Sequence, residues 1–194
     1  MQHGWHIGEN NEWAKHTAFA RANHAPLLFR LPGQAGGAVV SGRHGFAEFV
    51  DIYPTLTELA GLTPPELCAT PAESESAPAC TEGASLAPVV RNPKQTPAKS
   101  ISFYQWPKGK NMGYSLVTYT AEGWAVRYTE WVKYDKKAHA GVWSDVAGVE
   151  LYNRTADPDE NVNLANATGA AGARAALSTQ LHAGWRAAAA EALV

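Results

Sequence analysis

The sequence predicts an α/β protein in which a few elements of a larger domain precede a small antiparallel sheet with a C-terminal helix packed on it. Three observations lead to this prediction. A continuous apolar run between two prolines, residues 26–32, is typical of a buried strand in a parallel sheet. A stripe of apolar residues at helical spacing follows within residues 46–62. The second half of the chain alternates as strands do and ends in an alanine-rich tail with helical spacing.

Composition limits the class of protein before any motif is considered. A chain of 194 residues with 45% apolar residues is long enough for one compact domain with a real core. The formal net charge of -2, with both signs well mixed, argues against a nucleic-acid-binding protein. No stretch approaches the ~18 uninterrupted apolar residues that a membrane span needs. The polar and aromatic start, residues 1–6, is not a secretory signal peptide.

The first half contains one predicted strand and one predicted helix. The strand at residues 26–32 needs neighbours to form a sheet, and none is evident nearby, so we expect that part of the domain is missing from this chain. Pro54 interrupts the helical stripe, which predicts a first turn ending near Tyr53 and a main helix that starts at Pro54. Gly61 is the expected C-terminal stop of that helix. Residues 63–99 hold seven of the twelve prolines and are predicted to form a long surface excursion.

The second half is predicted to form a sheet and a helix. Strands are expected at residues 100–105, 112–120, 124–133 and 149–153, and the middle two are joined by a hairpin turn at residues 120–123. The helix begins at about Gly172, and its stripe includes Leu177, Leu181 and Trp185. We interpret Trp185 as core filling between helix and sheet. This reading divides the chain into residues 1–99, a remnant of a large domain, and residues 100–194, a C-terminal subdomain.

Side chains able to do chemistry concentrate near the start of the sequence. Six of them fall within the first sixteen residues: His3, His6, Glu9, Glu12, Lys15 and His16. Histidine and carboxylate together can bind a metal ion such as zinc. The spacing matches no sharp metal motif, however, so a metal or anion site and a solvated polar loop both remain open from composition alone.

The order of residues along the chain resembles the sulfatase family, a branch of the alkaline-phosphatase-like superfamily, and in particular the C-terminal part of those members that desulfate iduronate. Residues 2–9 and 12–16 are similar to the family's Ser-Asp-His-Gly-x-x-x-Gly-Glu…Lys segment. Further matches follow in the family's order: 25–29, 49–61, 80–86, 103–108, 112–115, 127–131, 150–152 and 157–164. Each motif is weak alone, but the ordered series spans nearly the whole chain. The resemblance implies a partial sulfatase fold.

The family's chemistry implies roles for several residues. Sulfatases hydrolyse sulfate esters with a formylglycine, made from the cysteine of a Cys-x-Pro-Ser-Arg motif, while a calcium ion neutralises the sulfate oxygens. By matching position, Lys15 would be the lysine that contacts sulfate and His3 the histidine of the catalytic and metal site. Trp5 and His16 would line the sugar pocket, although loop packing explains these two equally well; for Lys15 the alternative is an ordinary surface lysine.

The resemblance also concerns the cysteines and the cellular compartment. It implies that Cys68 and Cys80 form a disulfide across a loop rich in proline, alanine and serine; two unpaired thiols are the alternative. Asn153 and Asn166 both stand in the short N-glycosylation acceptor pattern. Together these features suggest a protein of the secretory pathway, lysosomal or extracellular, whose signal peptide lies upstream of Met1.

Two departures from the family pattern affect function. Gln2 stands where the family has a calcium-binding aspartate, and a neutral amide on a longer side chain supplies less charge to the metal. Neither cysteine lies in Cys-x-Pro-Ser-Arg, and the paired aspartates of the calcium site are absent, so this chain has no nucleophile. We therefore expect a partial chain, whose partner is the missing N-terminal part of the same protein. We also expect it to be poorly stable alone.

Three functions are compared on these grounds. The first is a fragment of a sulfuric ester hydrolase that acts on sulfated glycosaminoglycan, so that a sulfated saccharide is the expected substrate. The second is a catalytically inactive module that binds sulfated glycan through Lys15, His3 and the aromatic residues. The third is a related metal hydrolase such as a phosphodiesterase, against which residues 12–15 and 127–131 argue.

Overall fold

The computed structural model describes residues 4–33, 45–68, 70–77, 79–95 and 99–191. The strands are β1 (His6–Ile7), β2 (Trp13–Ala14), β3 (Ile101–Lys108), β4 (Asn111–Tyr119), β5 (Ala125–Asp135) and β6 (Ala140–Asn153). The α-helices are α1 (Ala20–Asn23), α2 (Ile52–Leu59), α3 (Pro71–Ser76), α4 (Ala87–Arg91) and α5 (Ala171–Glu191), with 3-10 helices at Glu9–Asn11 and Phe49–Asp51. Helices and two antiparallel sheets confirm the predicted mixed α/β class.

The chain divides into two compact units. The first combines Met1–Leu28 with Phe103–His182, and the second combines Phe29–Ser102 with Ala183–Val194. The predicted division into residues 1–99 and 100–194 stays a prediction.

The larger sheet has four strands, as predicted for the second half, and their order is β3-β4-β5-β6. β4 and β5 pair from Asn111↔Lys133 to Tyr119↔Ala125, and the predicted turn between them is closed by the Gly123 amide, which donates to the Thr120 carbonyl at 2.8 Å. β6 is longer than expected, because it begins at Ala140 and pairs with β5 across an irregularity at Val132. Its first residues are small or exposed, so they lack the alternation that identifies a strand.

The C-terminal helix packs on this sheet as predicted. Leu177 and Leu181 are buried, and the His182 imidazole lies 2.9 Å from a carboxylate oxygen of Glu130 on β5. The prediction that Trp185 fills the core is wrong, since its side chain is 45% exposed. Gly184 explains the difference: its φ of 78° breaks the helix, so residues beyond it do not continue the apolar stripe.

The second unit is organised by polar side chains at the start of α2. The buried Asp51 carboxylate accepts hydrogen bonds from the Glu48 and Ala84 amides at 2.7 and 2.8 Å and lies 2.7 Å from Lys99 Nζ. The predicted first turn is the 3-10 helix, α2 begins two residues before Pro54, and Gly61 follows its end with φ 77°. Proline is tolerated there because the amides of a first turn have no partner within the helix.

The predicted strand at residues 26–32 is not formed. The segment pairs with no strand of the described residues, and Leu28 is 85% exposed. An apolar run becomes a strand only where a neighbouring strand accepts and donates its backbone hydrogen bonds. Within the described part of the chain, no helix has the length and hydropathy to cross a membrane.

Candidate functional site

The polar N-terminal residues fold into a short hairpin made of β1 and β2. His6 pairs with Ala14 and Ile7 with Trp13, and the Gly8 amide donates to the Glu12 carbonyl at 3.1 Å. Asn10 and Asn11 in the connection both have φ near 56°, a conformation that asparagine tolerates better than most residues. We call residues 6–14 the N-terminal hairpin.

The two faces of the N-terminal hairpin differ in exposure. His6 is fully buried, and its ring meets Phe19 edge-on at 6.0 Å between centroids. The cross-strand pair of Ile7 and Trp13 is 67% and 71% exposed. Because side chains alternate along a strand, Trp5 belongs to the same outer face as Ile7, and it is 51% exposed. The outer face therefore presents apolar and aromatic surface.

The predicted lysine lies at the open end of the N-terminal hairpin. Lys15 and Trp5 each come one residue beyond the His6–Ala14 pair, so the hairpin brings these two positions together. The Lys15 side chain is half-buried, and the next residue, His16, is exposed with its ring 5.7 Å from that of Trp106 on β3. Thus three of the predicted site residues, Trp5, Lys15 and His16, flank the open end of the hairpin in sequence.

A close backbone contact holds this end of the hairpin against α1. The Gly4 amide donates to the Ala22 carbonyl at 3.0 Å, and a Cβ at position 4 would lie 1.6 Å from the Arg21 carbonyl oxygen. No side chain fits at that distance, so only glycine allows the approach.

The described residues do not fit a calcium ion. Gln2 and His3, the predicted metal residues, lie outside them. Among the residues that are described, no three His, Cys, Asp or Glu side chains are grouped as a metal site requires. Glu9 is engaged instead: its carboxylate accepts the Ile7 amide at 2.8 Å and lies 3.6 Å from Arg21, and the backbone hydrogen bond lowers its pKa.

A buried ion cluster beneath the hairpin segment was not predicted from the sequence. Arg127 on β5 is fully buried; its Nε donates to Glu160 and its Nη1 to Glu150, both at 2.9 Å. Its guanidinium also lies over the rings of Phe19 and Tyr152, at 5.1 and 4.6 Å from their centroids. In the sequence, the only sign of this cluster is an arginine within an otherwise apolar strand. Its partners Glu150 and Glu160 could not be identified from the sequence, because they are 23 and 33 positions away.

Tyr104 on β3 ties the sheet to the segment after the hairpin. Its hydroxyl donates to the Ala18 carbonyl at 3.0 Å, and burial raises the pKa of that hydroxyl to about 12. Because the unfolded pKa is about 10, the folded state favours neutral Tyr104. This contribution to stability is complete below about pH 10 and is lost as the pH rises through about 12.

We therefore expect Tyr104 to ionise late in an alkaline titration followed by tyrosinate absorbance. The Y104F variant should lose one late-titrating phenol. Equal late absorbance in Y104F and the parent chain would contradict the assignment.

The remaining predicted residues are placed as follows. Cys68 and Cys80 form the predicted disulfide, with Cα atoms 5.2 Å apart. The Asn153 side-chain oxygen accepts the Thr155 and Ala156 amides at 3.0 and 3.2 Å, which closes a turn after β6. Asn166 is exposed. Of the two candidate glycosylation sites, Asn166 is the more accessible.

Comparison with known proteins establishes the family. No family model matches the chain. Iduronate 2-sulfatase of Homo sapiens is 30% identical over 210 aligned positions, which cover 84% of this chain and 37% of the relative. A sulfatase of Formosa agariphila is 27% identical and arylsulfatase K of Bos taurus 26%, with the same 84% of this chain covered and 25% and 26% of the relatives. The chain belongs to the sulfatase family, as the order of its motifs indicates.

Within that family, the motifs predict a resemblance to iduronate 2-sulfatase, and the 30% identity to that protein confirms the prediction. The chain spans little more than a third of that relative's length. A solved structure of BT4656 in complex with its substrate D-glucosamine-2-N,6-O-disulfate is 22% identical, with a TM-score of 0.45 over 69% of this chain and 22% of that one.

Proposed function

We propose that this chain is the substrate-binding part of a sulfuric ester hydrolase that acts on sulfated glycosaminoglycan. The observation that carries the proposal is the open end of the N-terminal hairpin, which Trp5, Lys15 and His16 flank in sequence, in a chain of the sulfatase family. By its match to the family motif, His3 would be the histidine of the catalytic and metal site.

The residue types suit a sulfated sugar. An ammonium group is a compact point charge with three donors, which matches sulfate oxygens approached from several directions. A half-buried Lys15 is less screened by water than a surface lysine, so its attraction to an anion is stronger. Exposed aromatic rings such as Trp5 bind the apolar face of a pyranose, since they offer a large flat surface with little loss of entropy. Lys15 could also donate a proton to the departing sugar oxygen.

The nucleophile and the calcium ion would come from elsewhere in the parent enzyme. Both cysteines of this chain are joined in the disulfide, so neither is available for conversion to formylglycine. Bound calcium would supply charge neutralisation of the sulfate oxygens. Because the described residues do not form a calcium site, Gln2 and His3 would contribute to it only together with carboxylates supplied from outside the described residues.

The alternative function is a module that binds sulfated glycan without cleaving it, and the disulfide is compatible with both functions. A chain whose only two cysteines are oxidised has no formylglycine precursor, whatever its affinity for sulfate. Cleavage of a chromogenic sulfate ester separates the two functions: the hydrolase proposal requires turnover by the parent enzyme, and the binding module requires none.

The disulfide also bears on the cellular compartment in which the protein resides. A disulfide persists in oxidising surroundings, which supports the secretory pathway, lysosomal or extracellular. There Asn166, the more accessible of the two acceptor asparagines, would carry a glycan in preference to Asn153.

Replacement of Lys15 tests the site directly. We expect K15A to weaken binding of a sulfated heparan disaccharide about tenfold, because hydrogen bonds to charged groups contribute roughly 1.5–3 kcal/mol. Isothermal titration calorimetry on the full chain measures the effect, and the desulfated disaccharide should bind the parent chain as weakly as the sulfated one binds K15A. K110A removes an exposed lysine from the β3–β4 turn and is the matched control. Equal affinities in K15A and K110A would refute the proposed site.

A further inference from the structure

The turn that follows β6 is held in one conformation by its own side chains. The Asp157 carboxylate accepts the Val162 amide at 2.8 Å, and the Glu160 amide donates to the Asp157 carbonyl at 3.1 Å. Glu160 has φ 56°, a conformation that residues other than glycine adopt only where the surroundings impose it. We call residues 157–160 the anchoring turn.

The anchoring turn makes four hydrogen bonds to the N-terminal segment. The Asn10 side-chain amide donates to the carbonyls of Asp159 and Glu160 at 3.0 and 3.3 Å. Arg21 donates to the Asp159 carboxylate at 2.6 Å, and the Ala20 amide donates to Glu160 Oε2 at 2.9 Å. These contacts lie on both sides of Lys15 in sequence, two from the hairpin connection and two from α1. They therefore hold the closed end of the hairpin and the helix that follows it.

Glu160 links this contact to the centre of the sheet. Its carboxylate is 2% exposed, and while Oε2 accepts from Ala20, Oε1 accepts Nε of the buried Arg127 at 2.9 Å. Arg127 in turn packs against Phe19, whose ring contacts His6 in β1. Each oxygen of this buried carboxylate accepts a hydrogen bond, so the side chain has little freedom to move. Glu160 therefore couples the position of β5 to that of the start of α1.

We infer that the anchoring turn positions the N-terminal hairpin and that Glu160 is a positioning residue for Lys15, Trp5 and His16. The identity of the ligand that these residues bind rests on the proposed function. The anchoring itself rests only on the contacts between residues 157–160 and residues 10–21.

Two variants test the inference by separate routes. E160Q keeps the size of the side chain, but an amide has one acceptor oxygen, so one of the bonds to Ala20 and Arg127 is lost. N10G removes the two bonds from the hairpin side and keeps a residue that tolerates φ 56°. E150Q is the matched control, because Glu150 also binds Arg127 but otherwise bonds Trp131, at 2.7 Å, and makes no hydrogen bond to residues 4–24.

Hydrogen–deuterium exchange on the full chain gives the first result. Amides of residues 4–24 should exchange about tenfold faster in E160Q and N10G, since each loses part of the anchoring, while amides of β4 and β5 keep their rates in N10G. E150Q should leave exchange in residues 4–24 unchanged. The inference is wrong if N10G and E160Q exchange there as slowly as the parent chain.

Affinity for a sulfated heparan disaccharide gives the second result. We expect about tenfold weaker binding by N10G and E160Q at a temperature at which both are folded, and a change of less than about twofold for E150Q. Faster exchange with unchanged affinity would overturn the positioning role. Faster exchange in a chain whose parent form binds no sulfated disaccharide would refute the proposed function and leave the anchoring of the hairpin established.

Discussion

Replacement of Arg127 by alanine should lower the free energy of unfolding by about 3–5 kcal/mol, because it leaves a buried carboxylate without its main partner. Glu160 is 2% exposed, and after the change its nearest remaining cation is Arg154, whose Nε lies 3.4 Å away. The substitution also removes the group that packs on the rings of Phe19 and Tyr152. Single domains are stable by roughly 5–15 kcal/mol, so a loss of this size removes a large share.

Urea unfolding followed by tryptophan fluorescence measures the effect, with the slope of the transition compared between variants. K133A is the matched control in the same strand. Its side chain is 60% exposed and lies 3.8 Å from Asp145, a surface pair of the kind that contributes about 0–1 kcal/mol. If R127A and K133A unfolded at the same urea concentration, the buried cluster would not stabilise the sheet as we describe.

Removal of the disulfide with C68S/C80S should destabilise the second unit by about 3 kcal/mol, the value for closing a loop of similar length in the unfolded chain. The bond spans a sequence separation of 12 and lies beside the short bridge between Leu67 and Thr81. The loop that it closes contains α3, whose Ser74 accepts a hydrogen bond from Arg186 at 2.9 Å. Without the covalent link, these contacts must hold the loop alone.

Thermal unfolding should reveal this loss as a decrease in Tm of about 6–12 °C. Affinity for the sulfated disaccharide is the internal control: Lys15 belongs to the first unit and the disulfide to the second, so binding should not change while the first unit is folded. The double variant would contradict the prediction if it melted at the parent temperature, or if affinity fell in proportion to stability.

Local signals predicted the local elements correctly. The apolar alternation of β4 and β5 and the glycine that closes their turn are set by neighbouring residues, and so is the end of α2 before Gly61. The positions of Trp5, Lys15 and His16 within one short segment were also available from the sequence, since residues so close in the chain share an element. Their assignment as a site came from the ordered family motifs and stays a prediction, as do His3 and Gln2.

The sequence by itself thus determined the family, the antiparallel sheet, the C-terminal helix and the segment that holds the candidate site. Tertiary structure alone decided that residues 26–32 form no strand, that Trp185 is exposed beyond Gly184, and that Arg127 and Glu160 bind each other beneath the hairpin. The physical reason is the sequence separation between the residues that interact. Propensity and periodicity depend on neighbours within a few positions, whereas the anchoring bonds join residues 138 to 150 positions apart. Such pairs follow from how whole elements pack, which no local pattern encodes.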